Sequence, residues 1–312
     1  MKVTFWARLP FASSEVEEEL RKVPEAELAI VTSVEELLPE LDATQLLVLP
    51  DAPADDARMV MERICAGGPR PFAMHFNSAG MEGFRLAGIP PWVAVSQAHG
   101  ALAPTIAEHV MGMIIALNRR FPWALEMQRL QRWSAPETAS LATVAGSNVL
   151  LVGLGNIGTA VAGLAGAMGA RVHAATRTPR PSEGVSRVLP LDSLLSLLPE
   201  VDTVVCCLAL TEHTRHIIGR SELAAMKPGA ALVNVGRGGL VDTDALADAL
   251  ETGQLRGAAL DVADPEPLPP GHRLWAVPNI IITAHYSGAG PEGARRIGVM
   301  ARQRLEMLAG KS

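Results

Sequence analysis

Residues 149–158 read VLLVGLGNIG, and no other stretch restricts the fold as much. Four apolar residues form a short run suited to a strand covered on both faces. The run meets Gly153, Gly155 and Gly158 in the order G-x-G-x-x-G, and a helical pattern occupies residues 157–168. In a strand–turn–helix setting the three glycines have separate tasks. The first permits the tight turn, the second lets backbone approach a pyrophosphate, and the third lets the helix pack on the sheet. The helix start adds amides without helical partners and the positive end of a dipole. Gly153, Gly155, Asn156, Ile157 and Gly158 are therefore the expected contacts of a dinucleotide.

The next strand, residues 171–175, should end in an acid if the adenosine ribose carries a free 2′-hydroxyl. Thr176 and Arg177 stand there instead, followed by Thr178 and Arg180. A carboxylate would repel a 2′-phosphate, whereas a guanidinium fork and hydroxyl donors suit one. Thr176, Arg177 and Thr178 thus predict NADP(H) as the preferred cofactor, with NAD(H) as the alternative.

The same strand–helix rhythm runs along the whole chain, which at 312 residues has room for two domains. In the first hundred residues, strands are expected at 3–7, 28–32, 46–49, 72–76 and 93–95. Helices are expected at 14–23, opened by a capping box of Ser14 and Glu17, at 34–41, and from Pro53 at a first helical turn. Residues 105–130 read as one long amphipathic helical region kinked at Pro122, and 134–147 as a linker. The second series has strands at 149–153, 171–175, 203–208, 230–235, 258–262 and 280–283. A proline-rich loop spans 260–278, and a terminal helix spans 291–308. The expected class is α/β, with two doubly wound parallel sheets.

Composition narrows the function classes. Net charge is −6 without basic blocks, which speaks against nucleic acid or an anionic membrane as partner. The longest apolar runs, such as 110–117, are too short to span a bilayer. The first ten residues, MKVTFWARLP, do not read as a secretory leader. Cys65, Cys206 and Cys207 match neither a disulfide framework nor a metal site, and no metal is expected. They read as buried, reduced thiols of a cytoplasmic protein.

Ligands of doubly wound sheets bind beyond the carboxyl ends of the strands. Three reactive side chains fall just there: Arg237 in NVGRGG, Glu266 in DVADPEP and His285 in TAHYSG. Together they suit hydride transfer to a carbonyl. A histidine can give the carbonyl oxygen its proton, a carboxylate can orient that histidine and favour the imidazolium, and an arginine can hold a substrate carboxylate.

Taken with the order of its motifs, the chain resembles the D-isomer-specific 2-hydroxyacid dehydrogenases along nearly its whole length. VGLGNIG, NVGRGGLVD, ALDVADPEPLP and PNIIITAH carry the likeness, and IAEHVMGMIIAL is similar to the helix that follows the hinge in that family. The resemblance implies a Rossmann cofactor domain, residues 101–286, inserted into a flavodoxin-like substrate (catalytic) domain of residues 1–100 and 287–312. It assigns substrate binding to Arg237, the histidine partner to Glu266 and acid/base work to His285. It also implies that amides near Ala79 and Gly80 hold a substrate carboxylate, that Asp261 contacts the nicotinamide amide, and that Cys207, Leu208 and Val235 line the cofactor. The members it most resembles are NADPH-linked glyoxylate/hydroxypyruvate reductases. The expected partners are a small 2-keto or 2-hydroxy acid and a second copy of the chain in a homodimer.

The sequence departs from the family at several points. Cys207, Leu208 and Ala209 stand where His-x-Pro is frequent, Ala284 replaces a common proline, and Tyr286 replaces a smaller residue and is expected to narrow the pocket. A phosphite-type dehydrogenase on the same fold, or a non-catalytic dinucleotide-sensing protein, are the alternative readings. Trp92, His99, Trp123 and Trp133 are candidates for the substrate pocket. The apolar face of 110–117 would serve either a dimer partner or the interior of its own chain.

Overall fold

The computed structural model describes residues 1–78, 80–277 and 279–310. It divides into two compact units, one of Met1–Leu102 with Ala289–Ser312 and one of Ala103–Gly288.

The first unit alternates β1 (Lys2–Trp6), α1 (Ser13–Arg21), β2 (Glu27–Val31), α2 (Val34–Glu40), β3 (Leu46–Leu49), α3 (Ala54–Ala66), β4 (Ala73–Phe76), α4 (Glu82–Ala87) and β5 (Ala94–Gln97). The strands form one parallel sheet in the order β2-β1-β3-β4-β5. That is the flavodoxin-like order. Period-two alternation sorts its core. Val3, Phe5, Leu46 and Val48 pack with Val16, Leu20, Ile297 and Leu305 on one face. Trp6, Leu47, Leu49, Met74 and Phe76 pack with Leu37, Val60 and Ile64 on the other. Every residue of β3 is fully buried, as a central parallel strand requires. The C-terminal helix, Pro291–Leu308, lies against α1 so closely that a Cβ at Gly298 would sit 2.5 Å from the Glu15 carbonyl oxygen.

The second unit contains α5 (Ala103–Asn118), α6 (Phe121–Arg129), β6 (Asn148–Val152), α7 (Asn156–Ala167), β7 (Arg171–Thr176), β8 (Arg187–Pro190), α8 (Leu194–Leu197), β9 (Thr203–Cys206), α9 (Arg220–Ala225), β10 (Ala230–Asn234), α10 (Thr243–Glu251), β11 (Leu255–Leu260) and β12 (Ile280–Ile282). Its seven parallel strands run β12-β11-β10-β9-β6-β7-β8. This is the dinucleotide-binding order extended by one strand, with its switch point between β6 and β9. The face of α5 that includes Val110, Met113, Ile114 and Leu117 is buried within this unit, where the helix packs on α7, β10 and β11.

Several local expectations change. Ser14 and Glu17 form no capping box. Helix α1 starts at Ser13 from a left-handed Ala12 (φ 62°), so Ser14 lies inside the first turn and its hydroxyl turns to Glu15. The capping box belongs to α2, where the Ser33 side chain accepts from the Glu36 amide and Glu36 returns the bond to the Ser33 amide. Three donors from Thr32 and Ser33 hold the Glu36 carboxyl below its usual range. Pro53 is the N-cap of α3 rather than its first helical residue. Pro122 does not kink a single long helix: the chain breaks at Arg120 (φ 58°), and the proline stands in the first turn of a separate α6. Strand β8 and helix α4 had no clear periodic signal. Cys65 is exposed on α3, unlike the buried Cys206.

Candidate active site

The glycine loop is built on β6, whose Val149–Val152 segment is fully buried. Gly153 leaves the strand with φ 108° and gives its amide to the Ala175 carbonyl of β7. Gly155 is the N-cap of α7, and a Cβ there would face open space. Gly158 lies under the turn, where a Cβ would come 2.4 Å from the Gly153 carbonyl oxygen and 3.2 Å from the Cys207 sulfur. Approach room at the second glycine and none at the third is the division of labour that a bound pyrophosphate requires. The first amides of α7, from Asn156 to Gly158, lack acceptors within the helix.

Above this loop opens a cavity of about 930 Å³. Gly153, Gly155, Thr176, Arg177, Cys207 and Leu208 line it. Asn156, Ile157, Gly158, Thr178, Val235 and Asp261 are not among its lining residues. Sequence reasoning missed Asp192, Thr211, His213, Thr214, His216 and Glu222, which also line it. The register explains Asp192: Thr176 pairs with Pro190 of β8, two residues earlier. The Cys207 thiol donates to the Gly153 carbonyl at 3.0 Å. Burial pushes that thiol up to about 12 and raises Cys206 further, so neither is a thiolate at neutral pH.

The three strand-end residues follow neighbouring strands. Asn234, Leu260 and Ile282 stand in one row across β10, β11 and β12. At the last residue of β10, buried Asn234 closes the turn: its Oδ1 accepts from the Gly236 amide and its Nδ2 donates to the Arg237 carbonyl. Arg237 donates through Nη1 to the Gly236 carbonyl. A Cβ at Gly238 would be 1.8 Å from the Ala263 carbonyl oxygen, so this turn and the one after β11 touch backbone to backbone.

Glu266 and His285 are brought together. His285 Nδ1 lies 2.6 Å from Glu266 Oε1, with both side chains near half exposed. A carboxylate only accepts, so Nδ1 carries the hydrogen and Nε2 is left to exchange a proton with another group. His285 holds a left-handed backbone, φ 54°. Asp261 is buried at the end of β11, and its carboxylate accepts from the Thr283 hydroxyl and the amides of Tyr286 and Ser287. These inward bonds, and the contact of His109 with Thr283 and Tyr286, were not foreseen from sequence. In the first unit, the Ser78 hydroxyl donates to the Gly80 carbonyl and accepts from the Asp51 amide. Ala79 lies outside the described residues.

Among the described residues, no helix is long and apolar enough to cross a membrane, and no group of three or more His, Cys, Asp or Glu side chains is placed to hold a metal ion.

A nucleotide loop on one strand and a histidine–carboxylate pair beyond two others define a dehydrogenase of the dinucleotide-binding class. The sequence profile described as D-isomer specific 2-hydroxyacid dehydrogenase, NAD binding domain, matches residues 111–287. The chain belongs to that family and is an oxidoreductase that works with a nicotinamide dinucleotide. It is 35% identical to the glyoxylate reductase of Aeropyrum pernix over 226 residues, 70% of this chain and 67% of that enzyme. It is 36% identical to glyoxylate/hydroxypyruvate reductase B of Pectobacterium carotovorum over 200 residues, 61% of each chain. The crystal structure of the TT0316 protein from Thermus thermophilus superposes with a TM-score of 0.77 at 34% identity, covering 100% of this chain and 98% of that one.

Proposed function

We propose that this chain reduces a short 2-keto acid, such as glyoxylate or hydroxypyruvate, to the D-2-hydroxy acid, with NADPH as the preferred cofactor. The observation that carries the reading is the 2.6 Å pair of His285 Nδ1 and Glu266 Oε1 beyond a dinucleotide loop. Glu266 holds the Nδ1 side of the ring at 2.6 Å, so that Nε2 is the atom left to exchange a proton with the substrate oxygen. Arg237 holds the substrate carboxylate and polarises the neighbouring carbonyl, and the Gly80 amide is a further carboxylate contact. The nicotinamide, when bound, supplies the hydride. Gly153, Gly155, Asn156, Ile157 and Gly158 hold the pyrophosphate. Thr176, Arg177 and Thr178 serve the 2′-phosphate, and Cys207, Leu208, Val235 and Asp261 flank the rest. The unit of Ala103–Gly288 is the cofactor domain in this reading, and the other unit is the substrate domain.

Asp192, on the wall shared with Arg177, favours NAD(H) as a second reading. The test compares both cofactors. kcat/KM with NADPH should exceed that with NADH by about tenfold or more, which is about 1.4 kcal/mol. Arg177→Ala should erase most of the difference by raising KM for NADPH. Equal use of both by the unmodified enzyme would sink the NADP assignment. Each keto acid should also be compared with its neutral amide; equal turnover would remove Arg237 as carboxylate anchor. A cytoplasmic homodimer completes the proposal. Helix α6 buries none of its residues, and Phe121, Leu125, Leu130 and Trp133 are exposed along and just after it, an apolar strip for a second copy. Sedimentation should give twice the chain mass, and Leu125→Glu should halve it.

A further inference from the structure

The residues that hold His285 in place are reached through Asp261. Its main-chain carbonyl accepts from the His285 amide at 2.8 Å. Its Oδ1 accepts from the Thr283 hydroxyl at 2.6 Å and the Tyr286 amide at 3.1 Å, and the Ser287 amide reaches both carboxylate oxygens. The segment 283–287 is thus wrapped around one buried carboxylate. The wrapping holds His285 at φ 54°, a conformation that a residue with a Cβ adopts only when its surroundings impose it.

One further group grips this segment from another element. His109, on α5, places Nε2 3.2 Å from the Thr283 hydroxyl oxygen, and its ring meets Tyr286 edge to face at 5.6 Å. A hydroxyl has one hydrogen, and that of Thr283 is committed to the Asp261 carboxylate. Thr283 must therefore accept from His109, so Nε2 of His109 carries a hydrogen. The chain of donation runs from His109 Nε2–H to Thr283 Oγ1–H to Asp261 Oδ1, and His109 touches the residues on both sides of His285 and its preceding alanine.

We propose that His109 and Thr283 are positioning residues for His285, acting through Asp261 to keep the imidazole aligned with Glu266 and the reacting carbonyl. This rests on the acid/base role of His285 proposed above. A donor–acceptor chain of this kind sets direction rather than affinity, so its loss should appear in kcat and leave binding alone.

The experiment uses the full-length enzyme with NADPH and the best keto acid. Thr283→Val removes the hydroxyl at nearly constant shape, and His109→Phe keeps an edge for Tyr286 but removes the donor. Each should lower kcat about tenfold, with KM for the keto acid and the NADPH Kd changed less than about twofold. Thr283→Ser, which restores the hydroxyl, should recover most of the rate. The double variant should be little worse than Thr283→Val, because both break one chain. An independent readout is the Nδ1 proton of His285 in the NMR spectrum of histidine-labelled enzyme. Its downfield signal should persist in Thr283→Ser and broaden or vanish in Thr283→Val. Folded Thr283→Val enzyme with unchanged kcat and an unchanged signal would overturn the proposal, as would a Thr283→Ser variant as poor as the valine. An unmodified enzyme inactive on every keto acid would refute the proposed reaction instead, and the proton signal would still decide the positioning role.

Discussion

Lowering the pH from 7 to 5 should loosen the first unit through one buried histidine. His75 lies on β4 with 2% of its surface exposed. Its Nδ1 is 3.0 Å from the Ser96 hydroxyl oxygen, and that hydroxyl donates to the Met74 carbonyl. Nδ1 therefore carries the hydrogen, and Nε2 is buried with no partner among the described residues. A proton added at Nε2 would create an unpaired buried charge beside the Arg304 guanidinium. Burial first, and Arg304 second, bring His75 down from 6.5 to about 4. The unfolded chain takes up this proton as pH falls through 6.5, whereas the folded chain resists until about 4. Between those values the unfolded state holds more protons, so stability decreases as the pH is lowered. The full effect is about 3 kcal/mol, of which about 2 kcal/mol arises between pH 7 and 5. His75→Asn keeps a donor for Ser96 but cannot titrate. It should cost a constant amount from lost ring packing and flatten the slope. The assay is urea unfolding at pH 7, 6 and 5, followed through amide protection of peptides that cover β4 and β5. His173, which burial also lowers, lies in the other unit and does not enter those peptides. A variant whose stability falls as steeply as the parent's would refute the assignment to His75.

Three further outcomes follow from contacts in the second unit. Gly238→Ala puts a methyl group into the Ala263 carbonyl and must displace the turn that carries Arg237; kcat/KM for the keto acid should fall about a hundredfold or more, with NADPH binding retained in a dialysis assay. Glu266→Gln leaves an oxygen to accept from His285 Nδ1 but turns a charge-assisted bond into a weaker neutral one that orients the ring less firmly, so kcat should fall about tenfold or more at unchanged cofactor affinity. Arg256 donates to the carbonyls of Asp202 and Gly229 and to Asn118 Oδ1, and burial lowers its basicity without freeing those acceptors. Arg256→Met should therefore cost about 3 kcal/mol in denaturant unfolding, and a loss below about 1 kcal/mol would show that its acceptors find other donors.

What the sequence determined by itself is what short-range physics decides. The apolar run 149–152 and three glycines at fixed offsets are enough for a strand, a tight turn and a helix, because sterics and backbone freedom act over a few residues. The alternation of such units is enough for parallel sheets, since parallel strands need crossovers. Local reasoning failed where several local solutions were nearly equal. Ser14 with Glu17 and Ser33 with Glu36 offer the same capping chemistry, and only the packing of each helix decided which serine stands at the start. Pro122 fits a kink or a first turn equally well, and the break at Arg120 chose the turn.

Tertiary structure alone decided which distant residues meet. Sequence marks Arg237, Glu266 and His285 as reactive groups after strands, but only the fold puts their strands β10, β11 and β12 side by side and brings His285 to Glu266. Asp192 reaches the cavity wall because β8, a strand without a clear periodic signal, pairs with β7. Asp261 reads as a cofactor contact from its place after β11, and only the fold shows that its carboxylate also gathers three donors that follow β12. His109 and Thr283 are separated by 174 positions and meet only because α5 packs across the sheet edge that ends in β12. Such contacts carry no local signature: their energy comes from burying polar groups against one another, and that burial exists only once the sheet and its covering helices have assembled.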